Sequence, residues 1–179
     1  AELPVAGTEL SPVVAAGHSS PSLLPYPYLL SVPALLGGFV GGLGGGCGAG
    51  PCWNGTSGVQ CHMTNTRMTD PEIFEQRYPV LLHRFSIRES SGGSGFHRGG
   101  DGLVSEIEFR RPVVVSILSE RRVHAPRGLK GGENGARGAN YLVRKDGRRV
   151  FLGGKNTVTV NAGEILQILT PGGGGFGSP

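Results

Sequence analysis

The sequence predicts a mainly β fold: a sandwich or distorted barrel of about seven short strands with one short helix near residues 71–78, preceded by an irregular N-terminal segment. Three observations carry that expectation. Between Val80 and Leu169, apolar and polar residues alternate in runs of four to nine, the period of a strand with one buried face. Glycine-rich or Asp-Gly punctuation separates the runs. A helix-start signal, Thr69-Asp70-Pro71-Glu72, stands ahead of them.

The elements follow in order. Thr69 and Glu72 have capping-box spacing, and Asp70-Pro71 offers the alternative of an Asp N-cap with Pro in the first turn. Either way a helix should run over 71–78 and stop before Pro79. Val80–Arg88 alternates, with Leu81, Phe85 and Ile87 on one face and Arg84, Ser86 and Arg88 on the other. Ser90–Gly102 is a glycine loop. Leu103–Arg110 alternates again, and Val113–Leu118 is a β-branched run suited to a more buried strand. Tyr141–Lys145 and Arg148–Leu152 flank Asp146-Gly147, which supplies the positive φ of a tight hairpin turn. Thr157–Val160 and Glu164–Leu169 form a last pair around Asn161-Ala162-Gly163.

Composition divides the chain near residue 58. Of 179 residues, 33 are Gly and 13 are Pro, close to the level of low-complexity sequence. Residues 1–58 hold Glu2 and Glu9 as their charged residues, and all 17 basic residues fall from Arg67 onward. The first segment shows no helical or strand period. Its glycines lose much backbone entropy on ordering with little apolar area to offset it, so residues 1–58 are expected to be disordered or irregular and 59–179 to form the packed region. The uncharged stretch 29–49 is long enough to span a membrane. Pro33 and eight glycines dilute it and no Lys or Arg flanks it, so no membrane span is expected.

The formal net charge of +4 suits an anionic ligand or simply a solvated surface. No RNP-type aromatic pattern, helix-turn-helix signal or zinc-finger spacing points to nucleic acid. Cys47, Cys52 and Cys61 lack the spacing of a disulfide framework or a structural zinc site, and a reducing compartment, the cytosol, is the expected location. Asn54-Gly55-Thr56 matches a glycosylation sequon, which needs a secretory route to act. The glycine loops fail as nucleotide-binding motifs. Arg98 stands where Gly93-x-Gly95 would need its third glycine, and Gly153-Gly154-Lys155 is followed by Asn156 rather than Ser or Thr. They read as turns of a β fold. Arg121-Arg122-Val123-His124-Ala125-Pro126-Arg127 is a basic connection suited to a carboxylate or phosphate, or to solvent. His83 and His97 read as packing or surface histidines.

The densest set of reactive side chains lies between Cys61 and Glu72. His62 and Asp70 can share a proton, and Asn65 can polarise a carbonyl; these three are the candidate catalytic residues. Thr66 and Arg98 are the candidate substrate-binding residues, as hydroxyl and guanidinium donors. The competing reading is that Thr69, Asp70 and Glu72 cap a helix and Asn65-Thr66 makes a turn. Both stand at this point.

The ordered series His62-x-Thr64-Asn65-Thr66, Thr69-Asp70-Pro71-Glu72, Arg77-Tyr78-Pro79, Gly92-Gly93-x-Gly95-x-x-Arg98-Gly99-Gly100-Asp101-Gly102, Arg121-Arg122, Gly128-Leu129-x-Gly131-Gly132-Glu133, Gly135-Ala136-x-Gly138 and Thr170–Gly177 resembles the C-terminal region of the hydantoinase B/5-oxoprolinase family over Gln60–Pro179. Thr69-Asp70-Pro71-Glu72 leans toward the eukaryotic-type ATP-dependent 5-oxoprolinases. The resemblance implies opening of the 5-oxo-L-proline lactam to glutamate, coupled to ATP hydrolysis, in the glutathione cycle. It also implies that ATP with Mg is handled by an A-like region outside this chain. The implied partners are that region, the remaining B-like region and a second copy in a full-length homodimer. Residues 1–58 show no such resemblance, and on this reading the chain is a C-terminal fragment, inactive alone. Two other readings remain: a hydantoinase B-type subunit acting on cyclic amides with a separate A subunit, and a non-enzymatic β-rich assembly module.

Overall fold

The computed structural model describes residues 13–17, 39–60 and 68–179. In chain order these form β1 (Val13–Gly17), β2 (Phe39–Gly42), α1 (Pro71–Arg77), β3 (Val80–Arg88), β4 (Gly102–Phe109), β5 (Val113–Leu118), β6 (Ala139–Val143), β7 (Arg149–Phe151), β8 (Lys155–Val160) and β9 (Glu164–Leu169). Two antiparallel sheets result, one of order β2-β1-β5-β8 and one of order β3-β4-β9-β6-β7. Neither closes on itself, so the sandwich alternative holds over the barrel. Every expected strand is present, with ends moved by up to two residues, but β8 and β9, expected as a pair, lie in different sheets: β8 pairs with β5, and β9 with β4 and β6.

The alternation read from the sequence decides which faces meet. Val113, Val115 and Ile117 of β5 are buried, while Val114 and Ser116 between them are half-buried. Ile107, Phe109, Leu142, Leu166 and Ile168 of the five-stranded sheet join the same core cluster. Full burial of each such side chain is worth about 1.5–3 kcal/mol, and this shared core ties the sheets together.

At α1 the Asp70 alternative holds: its carboxylate accepts the Glu72 N–H at 3.0 Å and Pro71 opens the helix. Tyr78, held extended by the following Pro79, ends it. Phe74 and Tyr78 pack against the core, and Glu75 Oε1 accepts the Leu82 N–H at 2.8 Å, fastening the helix to β3. His83 Nε2 makes a surface hydrogen bond with Glu108 Oε2 at 2.7 Å. Among the described residues no helix is long and apolar enough to cross a membrane. Phe39–Gly42, inside the uncharged stretch, is β2.

The described part of the first 58 residues departs from the expected irregular leader. β1 joins the four-stranded sheet, pairing with β2 and β5. Residues 43–58 carry few regular hydrogen bonds but are packed, with Leu43, Gly44 and Ala49 buried. The expected break at 58 is therefore not a break in packing.

What receives them is a bundle of backbones. Segment 170–177 runs between three others, 44–58, 91–102 and 126–138, and hydrogen-bonds to each. Gly46 and Ala49 donate to Pro171 and Gly174, Gly173 donates to Gly100, and Gly172 and Gly175 donate to Ala136 and Glu133, all at 2.8–3.1 Å. The glycine loops read as turns are thus interior structure. Their glycines are required by approach distance. A Cβ on Gly173 would lie 1.8 Å from the Cys47 carbonyl oxygen, and one on Gly99 would lie 2.1 Å from that of Gly173. Neither has a left-handed φ; that conformation belongs to Gly58, Gly131, Gly147, Gly153, Gly163 and Gly177.

A carboxylate fixes the 91–102 segment of the bundle. Asp101, 8% exposed, accepts Arg98 Nη2 at 2.7 Å and Nη1 at 3.1 Å, together with the Gly92 N–H at 2.7 Å. Its own N–H donates to Ser57 Oγ at 2.9 Å, and the Arg98 N–H donates to Asn54 Oδ1 at 3.0 Å. Segments 44–58 and 91–102 are clasped by these contacts. Burial alone would raise the Asp101 carboxyl, but the Arg98 guanidinium and the Gly92 N–H outweigh it and hold the group below its ordinary range. Glu164 behaves alike: burial opposes its ionisation, yet Arg144, at 2.9 and 2.8 Å, and the Asn161 N–H hold it down.

Two predictions follow from this packing. Gly173→Ala should cost more than about 4 kcal/mol or abolish soluble protein, whereas Gly41→Ala, whose Cβ would meet nothing within 4 Å, should lie within about 0.5 kcal/mol of wild type in urea unfolding. A carboxylate whose folded pKa is depressed contributes stability above its unfolded pKa and loses it as pH falls through the folded value. Asp101→Asn should therefore lower the urea midpoint near pH 7 and shrink the further loss between about pH 5 and pH 2. An unchanged acid profile would show that Asp101 contributes nothing by its charge.

Candidate functional site

Of the residues proposed from the sequence, His62, Asn65 and Thr66 lie outside the described residues, within 61–67. The two residues that bracket them do have a place. Gln60 and Met68 both line one open cleft of 410 Å³, whose other walls come from Val59, Phe85, Leu103 and glycines 44 and 58. The chain thus leaves into 61–67 and returns from it at the rim of a single concavity.

The cleft exists because β3 outruns its cover. Val80 and Leu82 stand opposite Phe109 and Ile107, and Phe85 and Ile87 stand opposite Ser105 and Leu103. Directly opposed residues share a sheet face, so Phe85 and Ile87 point the same way as the core. Yet they are 40% and 42% exposed, as Met68 is at 43%. The bulge between Leu82 and Arg84 preserves this facing despite the odd spacing from Val80 to Phe85. Gln60 holds the opposite rim: its side-chain amide donates to the Gly42 carbonyl at 2.7 Å, and Val59 N–H donates to Gly45 at 2.9 Å. The result is an apolar floor with a polar rim, at the place where 61–67 begins and ends.

The structure gives the other two candidates local work. Asp70 is the N-cap of α1, with an oxygen engaged by Glu72. The Arg98 guanidinium makes the bidentate pair with Asp101 described above. Cys52 is an exposed thiol, Cys61 lies outside the described residues, and no three His, Cys, Asp or Glu side chains among the described residues gather as a metal ion requires. Residue-by-residue reading missed the floor, Phe85, Leu103 and Met68, because an apolar residue on an alternating strand signals core whether or not the core is closed. Asp101 carried a visible signal, an acid inside a glycine run three residues after an arginine.

Comparison with known proteins gives the family and the fold. The family model for hydantoinase B/oxoprolinase matches residues 30–179. The resemblance placed from Gln60 on motif grounds therefore reaches back to residue 30, in keeping with the packing of 43–58 into the bundle. The chain is 82% identical over 141 residues to 5-oxoprolinase 1 of Arabidopsis thaliana, covering 79% of this chain and 11% of that protein. It is 53% identical over 140 residues to the 5-oxoprolinase of Dictyostelium discoideum, covering 78% of this chain and 11% of that protein. Each relative is thus far longer than this chain. Among solved structures, the ATP-dependent caprolactamase of Pseudomonas jessenii superposes with a TM-score of 0.73 at 24% identity, covering 98% of this chain and 30% of that chain, which establishes a shared fold. A β sandwich tied to a glycine bundle, matched by the family model over most of its length, places this chain in the hydantoinase B/oxoprolinase family.

Proposed function

We propose that the chain serves as the C-terminal part of an ATP-dependent 5-oxoprolinase, a cyclic-amide hydrolase that opens the lactam of 5-oxo-L-proline to L-glutamate. The observation that carries this is the 82% identity over 141 residues to a protein named 5-oxoprolinase. That identity favours it over a hydantoinase B-type subunit with a separate A subunit. A five-membered lactam is a stable amide and water a poor nucleophile. Transfer of the γ-phosphoryl group of ATP to the amide oxygen, with release of ADP, makes the ring carbon electrophilic; a first water adds there, the ring C–N bond breaks with a proton delivered to nitrogen to leave an acyl phosphate, and a second water hydrolyses that to glutamate and phosphate.

In this reading ATP and its Mg ion are handled by an A-like region beyond this chain, and the assembled protein is a cytosolic homodimer. This chain supplies one wall of the lactam site. The apolar floor of Phe85, Leu103 and Met68 suits the ring methylenes, and Gln60 stands at its rim. His62 is assigned to proton transfer, Asn65 to polarising the ring carbonyl and Thr66 to holding the substrate. Asp70 and Arg98 are assigned to the cap and the clasp.

The test is a replacement. Putting residues of this chain in place of the matching stretch of Arabidopsis thaliana 5-oxoprolinase 1 should preserve release of ADP and glutamate from ATP and 5-oxo-L-proline; a folded chimera without turnover overturns the reading. Within that chimera His62→Ala or Asn65→Ala should lower kcat by about a hundredfold or more. Unchanged turnover in folded variants removes those residues from the site while leaving the lactam reading in place.

A further inference from the structure

A second concavity lies on the far side of the core strands. Leu118, the last residue of β5, pairs with Lys155, the first of β8. Beyond that pair the chain opens into a cleft of 630 Å³, lined by Ser119, Glu120, Arg121, Arg122, His124 and Lys155 among others. The cationic side chains Arg121, Arg122 and Lys155 converge there with one carboxylate, Glu120, whose Oε1 lies 3.3 Å from Lys155 Nζ with both groups more than half exposed. The cleft therefore carries a net charge of about +2, focused by its walls.

Its floor is rigid. Asn140 is fully buried; its amide donates to Ser119 Oγ at 2.9 Å and to the Gly153 carbonyl at 2.8 Å, and its oxygen accepts Arg122 Nη2 at 3.1 Å. Ser119 Oγ donates to the Gly154 carbonyl at 2.8 Å, and Arg122 Nη1 donates to the Glu120 carbonyl at 2.6 Å. A Cβ on Gly138 would lie 2.8 Å from Arg122 Cζ, so the guanidinium lies close over that glycine. Arg122 is 6% exposed. The Arg122 guanidinium is held by this network, with Nη1 and Nη2 engaged by the protein, so it adds a fixed positive charge to the floor of the cleft.

Arg121 supplies an independent sign. Its φ is +58°, in the left-handed region, which among the described residues glycine fills at six positions and Ser90 and Lys130 at two more. Glycine would hold that conformation without strain. An arginine there keeps the strain together with the charge it brings to the cleft.

We propose that this cleft binds a small oxyanion, the carboxylate or phosphate group of a small molecule, through Arg121 and Lys155, above the fixed charge of Arg122. The assignment is independent of the lactam reading, which concerns the other cleft. The experiment is isothermal titration calorimetry of the 179-residue chain with inorganic phosphate and, separately, with acetate, at constant ionic strength set by chloride. Saturable binding of one of them is expected; the stronger of the two identifies the source as phosphate or carboxylate. The R121G/K155Q variant should bind at least about tenfold more weakly, while R111Q/K145Q, which removes equal charge from exposed positions outside the cleft, should bind as wild type does. Arg121→Gly relieves the positive φ, and Lys155→Gln alone, at an exposed side chain, provides the test should the double variant not fold. No saturable binding of either ion, or equal weakening in R111Q/K145Q, overturns the proposal.

Discussion

Close approach of backbone to backbone is the constraint on which the rest of this structure depends. Segment 170–177 can run between 44–58, 91–102 and 126–138 because almost no side chain stands in the way; a single methyl at Gly173 would sit 1.8 Å from a carbonyl oxygen. With side chains absent, the stabilisation comes from hydrogen bonds between peptide groups, each modest in net terms but made in a place where an unmade bond would be costly. The arrangement accepts a large loss of backbone entropy at its glycines, offset by satisfying nearly continuous runs of buried N–H and C=O groups. It resembles the logic of extended helices that bond between chains instead of within them.

That bundle explains how two sheets with a modest core become one unit. The β3–β4 loop, the β5–β6 connection and the segment after β9 all enter it, so elements distant in sequence are joined at one end. The Arg98–Asp101 pair fixes the shape of the 91–102 loop, using a buried carboxylate whose lone pairs are filled by a guanidinium and a backbone N–H, and the loop's own N–H groups then reach Asn54 and Ser57. Such a group is strongly destabilising when one partner is lost, which makes the clasp a point of specificity for how the loops are threaded.

Both clefts are products of this joining. The apolar one appears where β3 extends past the facing sheet and 44–60 crosses beside it. The basic one appears where the β5–β6 connection leaves the sandwich for the bundle, with Asn140 holding the corner. Neither belongs to a single element, and each has walls from segments more than thirty residues apart in sequence.

The sequence by itself determined the strands and the helix. Alternation over Val80–Arg88 and Glu164–Leu169, the β-branched run Val113–Leu118 and the Asp146-Gly147 turn act through local sterics and burial period, which neighbouring residues encode directly. It also held the family resemblance from Gln60 onward and the cap at Asp70. Only the tertiary structure decided what the glycines do, because a residue lacking a side chain shows no periodicity and the same letters serve for a surface turn or a buried backbone contact. For the same reason the packing of 43–58 was illegible. The clefts were equally hidden: Phe85 reads as core from its strand, and whether anything covers it depends on where the opposite sheet ends. The Arg98–Asp101 pair is local, three residues apart, but only the fold brings the backbone N–H groups of the two residues against Asn54 and Ser57.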